Sequence, residues 1–202
     1  MNTGILEIIC GPMFSGKTSE LIRKIKLAKI AKYNILVFKP NIDSRYIKEK
    51  VCTNDDISIE SIPITTAKEI LKEINEKQID KIYIDEVQFF TDEIVDVVEK
   101  LTKEIGIDVT VAGLINDFKG EPFGSMGELL ARAQKIVGLK AICTHEKSDG
   151  SICGNSAYFT QRFIKNKPAS YDSPIILVGG LDHYAARCKR HWKVPNRPKK
   201  LI

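Results

Sequence analysis

Apolar residues along this chain switch repeatedly between two periods. Short apolar runs of strand length occur at 5–10, 35–38, 57–62, 81–85 and 109–114, and between most of them the apolar residues fall three and four apart, as on one helix face. From 17 to 32 that face is Leu21, Ile22, Ile25, Leu27 and Ala28, and from 66 to 77 it is Ala67, Ile70, Leu71 and Ile74. Thr91 predicts an N-cap ahead of Ile94, Val95, Val98 and Leu101, and a further helix is predicted over 125–137, closed by Gly138 as a C-cap glycine. Strands alternating with helices require right-handed crossovers, so the pattern predicts an α/β protein with a mostly parallel sheet flanked by helices.

After Gly138 the pattern changes. Helical periodicity stops, cysteine, histidine, glycine and aromatics rise, and short strands are predicted at 157–164 and 175–178, joined by the polar stretch 165–173. A boundary near Gly138 divides the chain into 1–138 and 139–202. From about 195 a basic tail is expected to be loose.

At 202 residues, 43% hydrophobic and 28% charged, the chain has the length and composition of an ordinary globular protein that buries a core, so disorder is not the expectation. The start Met1-Asn2-Thr3-Gly4 has no basic segment leading into an apolar stretch, and no apolar run reaches membrane-spanning length, so a cytoplasmic location is expected. Five cysteines, with Cys10 and Cys52 remote from the rest, argue against structural disulfides. The net charge of +5 suits an anionic partner, and the basic stretch 187–200 reads as a solvated tail ahead of a nucleic-acid patch.

The segment Gly11-Pro12-Met13-Phe14-Ser15-Gly16-Lys17-Thr18 lies between the first predicted strand and the first predicted helix and fits the P-loop pattern. Backbone N–H groups of such a loop curl around phosphate oxygens, Lys17 brings a positive charge, and Thr18 offers a hydroxyl to Mg²⁺. The helix N-terminus adds its unpaired N–H groups. The fold class is therefore of the P-loop NTPase type, with ATP or another nucleoside triphosphate bound by its phosphates.

The strand 81–85 ends in two carboxylates, Asp85 and Glu86. Asp85 would hold Mg²⁺ opposite Thr18, while Glu86, on the other side of an extended backbone, could accept a proton from an attacking hydroxyl or water. No NKxD-type guanine signature is present, and the chain is too short for two helicase motor cores. A small-molecule kinase, with the cysteine and histidine module as an acceptor-binding lid, fits what remains.

Four segments together resemble one family: GPMFSGKT at 11–18, DEVQFF at 85–90, GLINDFKGEPFG at 113–124, and Gly179-Gly180 followed by Tyr184 and Cys188. The chain is similar to the type II thymidine kinases, the vertebrate cytosolic and bacterial enzymes, over nearly its whole length. The resemblance implies transfer of the ATP γ-phosphoryl group to the 5′-hydroxyl of thymidine, in nucleoside salvage for DNA synthesis. It makes Glu86 the base and Lys17 a phosphate ligand. It also brings Arg45, in Asp43-Ser44-Arg45-Tyr46, to the transferred group, although from the residues alone Arg45 reads as a solvent-facing loop residue.

The resemblance further implies that Met13, Leu114, Phe118, Phe123, Thr160 and Tyr184 enclose the nucleoside, with Phe89 and Val178 also assigned to it. Read alone, Phe89, Phe118 and Phe123 are core aromatics, and Phe90 stays core in either reading. Thymine offers one N–H donor and two carbonyl acceptors, which backbone groups near 158–160 and Val178 would match, so that cytosine leaves polar groups unpaired. A homotetramer and feedback inhibition by thymidine triphosphate also come with the resemblance, and no membrane or nucleic-acid partner does.

The C-terminal module, a small lasso domain expected to close over the nucleoside, supplies Cys143, Cys153, Cys188 and His191 as a Cys₃His structural zinc site. Cys188 and His191 have good spacing, but the nine residues 144–152 between Cys143 and Cys153 exceed the usual two to four and depart from the family pattern. His145 is the alternative ligand and free thiols the alternative state. From another functional class, a nucleic-acid-dependent P-loop ATPase would use the zinc knuckle and basic tail to contact phosphates.

Overall fold

The computed structural model describes residues 3–41, 50–52, 58–74, 78–176 and 183–199. Arg45 with its neighbours 43–46, and Val178, Gly179 and Gly180, lie outside the described residues. The chain divides into two compact units, Met1–Cys10, Gly16–Ile115 and Phe123–Gly138 in one, Gly11–Ser15, Asn116–Pro122 and Leu139–Ile202 in the other.

The first unit is built on a six-stranded sheet of β1 (Leu6–Gly11), β2 (Ile35–Pro40), β5 (Ile62–Ile64), β6 (Lys81–Ile84), β7 (Asp108–Leu114) and β8 (Lys135–Gly138), in the order β5-β2-β6-β7-β1-β8. The paired strands run parallel, with Phe38 opposite Ile84 and Ile84 opposite Val111. The helices are α1 (Lys17–Ile30), α2 (Lys68–Glu73), α3 (Glu93–Glu99), which continues as a π-helical stretch over Lys100–Ile105, and α4 (Met126–Arg132). Alternate strand residues point to opposite faces. Leu6, Ile8, Phe38, Ile82, Ile84, Val109 and Val111 thus form one core with Ile70 of α2, Ile94 and Val98 of α3 and Leu129 of α4. At about 25 cal/mol per Å² of apolar surface buried, this core holds the strand ends in place.

Several expected boundaries shift. The predicted run 57–62 is split between β4 (Ser58–Glu60), which pairs with β3 (Lys50–Cys52), and the sheet strand β5. Asp92, not Thr91, precedes α3, although the Thr91 carbonyl accepts from Ile94 N–H. Leu27, expected on the buried face of α1, is 51% exposed while Ile25 and Ala28 are buried, because two residues on from Ile25 is more than half a helical turn and puts Leu27 on the other side of the helix. The helix expected over 125–137 stops at Arg132, and Lys135–Gly138 forms β8 beside β1, so Gly138 is a strand residue instead of a helix cap. Tertiary pairing wins there, since Ile136 and Val137 are β-branched and the edge of β1 is open to them.

The second unit contains β9 (Ala141–Ile142) paired with β10 (Ser156–Ala157), and a three-stranded antiparallel sheet of β11 (Phe159–Ile164), β12 (Lys167–Pro168) and β13 (His183–Arg187). The expected strand 157–164 is therefore two strands, and residues 175 and 176 are in none. Pro195, Asn196 and Arg197 are held in this unit by Tyr171 N–H, Ser170 and Glu121 respectively, so a loose tail from about 195 does not describe these three. No helix among the described residues is long and apolar enough to cross a membrane.

Candidate phosphate site and metal centre

The turn between β1 and α1 has the backbone that its sequence calls for. Gly16 caps α1 at φ 82°, a left-handed conformation that a side chain would strain, while Phe14 accepts φ 63° as a non-glycine residue and is exposed. A Cβ on Gly11 would meet the Leu139 carbonyl oxygen at 2.6 Å and Ser15 Oγ at 2.7 Å, so a close backbone approach fixes that glycine. Ser15 Oγ donates to the Pro12 carbonyl at 2.8 Å, and Met13 N–H donates to Thr160 Oγ1 at 3.0 Å. Met13 and Thr160, two residues assigned to the nucleoside, are thus hydrogen-bonded partners.

In the first unit, Lys17 and Thr18 open α1, and Asp85 and Glu86 follow β6. Thr18 Oγ1 donates to Asp85 Oδ2 at 3.2 Å, and Glu86 N–H donates to Asp85 Oδ1 at 3.0 Å. Lys17 and Asp85 are both buried, at 9% and 7% exposure. Burial, reinforced by the Glu86 charge, pushes Asp85 up to about 7, against the pull of its hydrogen bonds and Lys17. Burial likewise lowers Lys17, while the charges of Glu86, Asp85 and Cys10 oppose the shift. The result is a buried cation, Lys17, beside an oxygen-donor pair, Thr18 and Asp85, of the kind a hard divalent cation prefers.

Glu86 departs from the extended backbone expected of it. Its φ of 51° and ψ of 40° are left-handed, and it introduces a 3₁₀ turn over Val87–Phe89. Val87 and Phe90 go into the core, the latter as expected, and Gln88 turns inward at 2% exposure. Its Nε2 donates to Glu86 Oε2 at 2.5 Å and its Oε1 accepts from Leu114 N–H at 3.0 Å. Gln88 had no role in the sequence reading; a lone polar residue among Val87, Phe89 and Phe90 was the signal. Phe89 and Phe123 meet edge to face at 5.4 Å, both half-buried, and Leu114 is half-buried as well.

In the second unit Phe118 is 3% exposed, with the Arg162 guanidinium 5.2 Å and the Lys119 ammonium 5.7 Å from its ring centre. Its loop turns on Asp117, whose Oδ1 accepts from the N–H groups of Lys119 and Glu121. Trp192 Nε1 donates to the Phe118 carbonyl at 3.2 Å, and the Trp192 ring stacks on Phe159. Trp192 was also missed from sequence, since its partners lie far away along the chain. Tyr184, half-buried, stands opposite Arg162 in the β11–β13 register.

The metal-ligand group comes together despite its spacing. The ligand atoms of Cys143, Cys153, Cys188 and His191 all lie within 4.8 Å of one another. His191 Nδ1 is 3.6 Å from Cys143 Sγ and 3.5 Å from Cys188 Sγ, so Nδ1 is the ring nitrogen that the thiols place for a metal. The nine-residue spacer folds back on itself: Glu146 bridges Ile152, Lys147 N–H donates to the Ser151 carbonyl, and Cys153 N–H donates to the His145 carbonyl. The His145 ring lies tilted against that of His191, with centres 4.0 Å apart, and His145 is outside the group. Desolvation, then the charges of His145 and Arg190, holds His191 below its usual range, favouring the neutral imidazole that ligates metals. Three thiols and one imidazole fit a metal such as zinc.

A family model described as thymidine kinase matches residues 4–192 of the chain.

Proposed function

The chain belongs to the thymidine kinase family, and from that premise we propose that it transfers the γ-phosphoryl group of ATP to the 5′-hydroxyl of thymidine, giving thymidine monophosphate and ADP. The observation that carries the reading is the Thr18 hydroxyl 3.2 Å from the Asp85 carboxylate, with the buried Lys17 electrostatically coupled to both Asp85 and Glu86. Thr18 and Asp85 are the residues that would hold Mg²⁺, directly or through water, where it neutralises charge on the phosphate oxygens. Backbone N–H groups of the segment 11–18 cradle the phosphates, apart from Pro12, which lacks one, and Met13, whose N–H is taken by Thr160, and Lys17 supplies positive charge to them.

Glu86 accepts the 5′-hydroxyl proton as that oxygen bonds to the γ-phosphorus and the bond to ADP breaks. Arg45 adds positive charge at the transferred group, where electrostatic stabilisation is the main source of catalysis. Met13, Phe89, Leu114, Phe118, Phe123, Thr160, Val178 and Tyr184 are assigned to the nucleoside. Cys143, Cys153, Cys188 and His191 would hold zinc as a closed, structural four-ligand site. A homotetramer, feedback inhibition by thymidine triphosphate, a cytoplasmic location and a place in deoxynucleoside salvage complete the proposal.

The test is product analysis by mass spectrometry after incubation with ATP, Mg²⁺ and equal amounts of thymidine, deoxyuridine, deoxycytidine and deoxyadenosine. Thymidine monophosphate as the main product is expected. A different main product, or ATP hydrolysis that appears only with DNA, overturns it.

A further inference from the structure

Gln88 is buried at 2% exposure in a turn whose neighbours leave it no freedom. A Cβ on Gly113 would lie 2.6 Å from Gln88 Oε1, and one on Gly124 would lie 2.4 Å from the Gln88 carbonyl oxygen. Both glycines are sites where backbone passes against this one residue, and Gly124 also has φ 51°. The Gly124 approach holds the Gln88 backbone, and the Gly113 approach packs against the side-chain amide.

Hydrogen-bond polarity then fixes the orientation of the amide. Leu114 N–H can only donate, so it must meet Oε1, and this leaves Nε2 to face Glu86. A flipped amide would set two donors together at Leu114 and two acceptors together at Glu86. In the observed orientation, a backbone donor at the end of β7 reaches the carboxylate of Glu86 through one buried side chain. Glu86 Oε2 is occupied by that bond, and among the described residues no hydrogen bond occupies its Oε1.

We propose that Gln88 is the positioning residue for Glu86, holding one carboxylate oxygen so that the other is presented to the acceptor hydroxyl. The inference rests on the reading of Glu86 as the base. A free glutamate side chain samples several rotamers, and a carboxylate misplaced by about 1 Å costs on the order of 10²-fold in rate. Holding it by a buried amide removes that loss without touching substrate, so the effect belongs in turnover and not in thymidine binding.

The experiment compares the full-length wild-type protein with Glu86→Gln, Gln88→Met, Gln88→Glu, Glu86→Gln/Gln88→Met and Glu86→Gln/Gln88→Glu, measuring kcat, thymidine KM and Tm. Gln88→Met removes the donor at similar volume, and Gln88→Glu keeps shape and the Leu114 contact but turns an acceptor toward Glu86. Each is expected to lower kcat by about 10- to 100-fold, with thymidine KM within about threefold of wild type. Gln88→Met is expected to add little further loss once Glu86 is already glutamine. Exchanging the two groups restores an amide-to-carboxylate bond of reversed polarity, so Tm should recover relative to Gln88→Glu while kcat stays at the Glu86→Gln level. That split separates support of the base from support of the fold.

Gln88→Met and Gln88→Glu with near-normal kcat, or an equal further loss of kcat in the Glu86→Gln background, overturn the inference while leaving the base assignment standing. Near-normal turnover of Glu86→Gln overturns the base assignment and this inference with it. Should Gln88→Met fail to fold, Gln88→Glu alone and with Glu86→Gln gives the same decision.

Discussion

Thr18, in the first turn of α1, donates its hydroxyl hydrogen to Asp85, just past the end of β6, over 3.2 Å. The two residues are 67 positions apart: Thr18 follows β1 in the chain and Asp85 follows β6, strands of one sheet with β7 between them, and Asp85 N–H is itself fixed by the Phe38 carbonyl of β2. A rigid sheet therefore sets the distance between two oxygen donors, which makes the pair suited to a divalent cation.

Asp85 gives a pH-dependent test in protein free of nucleotide and Mg²⁺. Its carboxyl holds a proton in the native state up to about 7, whereas the unfolded chain releases it near about 4. Between these values the native state binds more protons, so this residue makes stability fall as pH rises. Asp85→Asn removes that cost but also weakens the contacts to Thr18 and Glu86 N–H. The expected gain at pH 8 is about 2 kcal/mol, a Tm rise of about 4–8 °C, shrinking towards pH 4. Thermal denaturation at both pH values checks it, and an equal Tm difference at the two would refute the assignment. Mg²⁺-dependent nucleotide binding should be lost in the same variant.

Glu86→Gln is expected to retain ATP and thymidine binding while turnover drops by about 10² to 10⁴, the range for loss of a general base. Binding by calorimetry together with steady-state kinetics separates the two effects. Turnover near that of the wild type removes Glu86 from the role of base.

Cys188→Ser is expected to abolish stoichiometric zinc, because a closed structural site tolerates poorly the loss of one thiolate ligand. Elemental analysis should show about one zinc per chain in the wild type and in a Cys10→Ser control, whose thiol is outside the ligand group. Full zinc in Cys188→Ser would mean a different ligand set.

Trp192→Phe keeps a ring for Phe159 and removes the bond from Nε1 to the Phe118 carbonyl. The expected cost is about 1 kcal/mol of stability, the usual net value of one such bond. If Phe118 contacts the nucleoside, thymidine KM rises several-fold while kcat stays within about twofold. An unchanged KM would separate the loop from nucleoside binding.

Much of the site was legible in the chain because its chemistry is local. Eight consecutive residues carry the P-loop, and the adjacent Asp85 and Glu86 end an apolar strand, so spacing alone could bring them to one sheet end. Gln88 was not legible in its role: its two partners are Glu86, a neighbour in sequence, and Leu114, 26 residues away, and only the fold brings the second to it. Trp192 is similar, with its donor bond reaching 74 residues back to Phe118. The spacer 144–152 looked too long for a metal knuckle because residue count measures contour length, whereas its internal hydrogen bonds set the distance between Cys143 and Cys153.

By itself the sequence determined the alternation of strands and helices, the glycine-bearing turn between β1 and α1 and the chemical types gathered at each site. These depend on side-chain period, on glycine's backbone freedom and on functional groups that neighbouring residues carry. Tertiary structure decided which strand Lys135–Gly138 would become, which of Cys143, Cys153, His145, Cys188 and His191 would converge, and which way the Gln88 amide would face. Each of those outcomes turns on partners distant in the chain, and a hydrogen bond or a shared ligand geometry is satisfied only after folding has set their separation and direction.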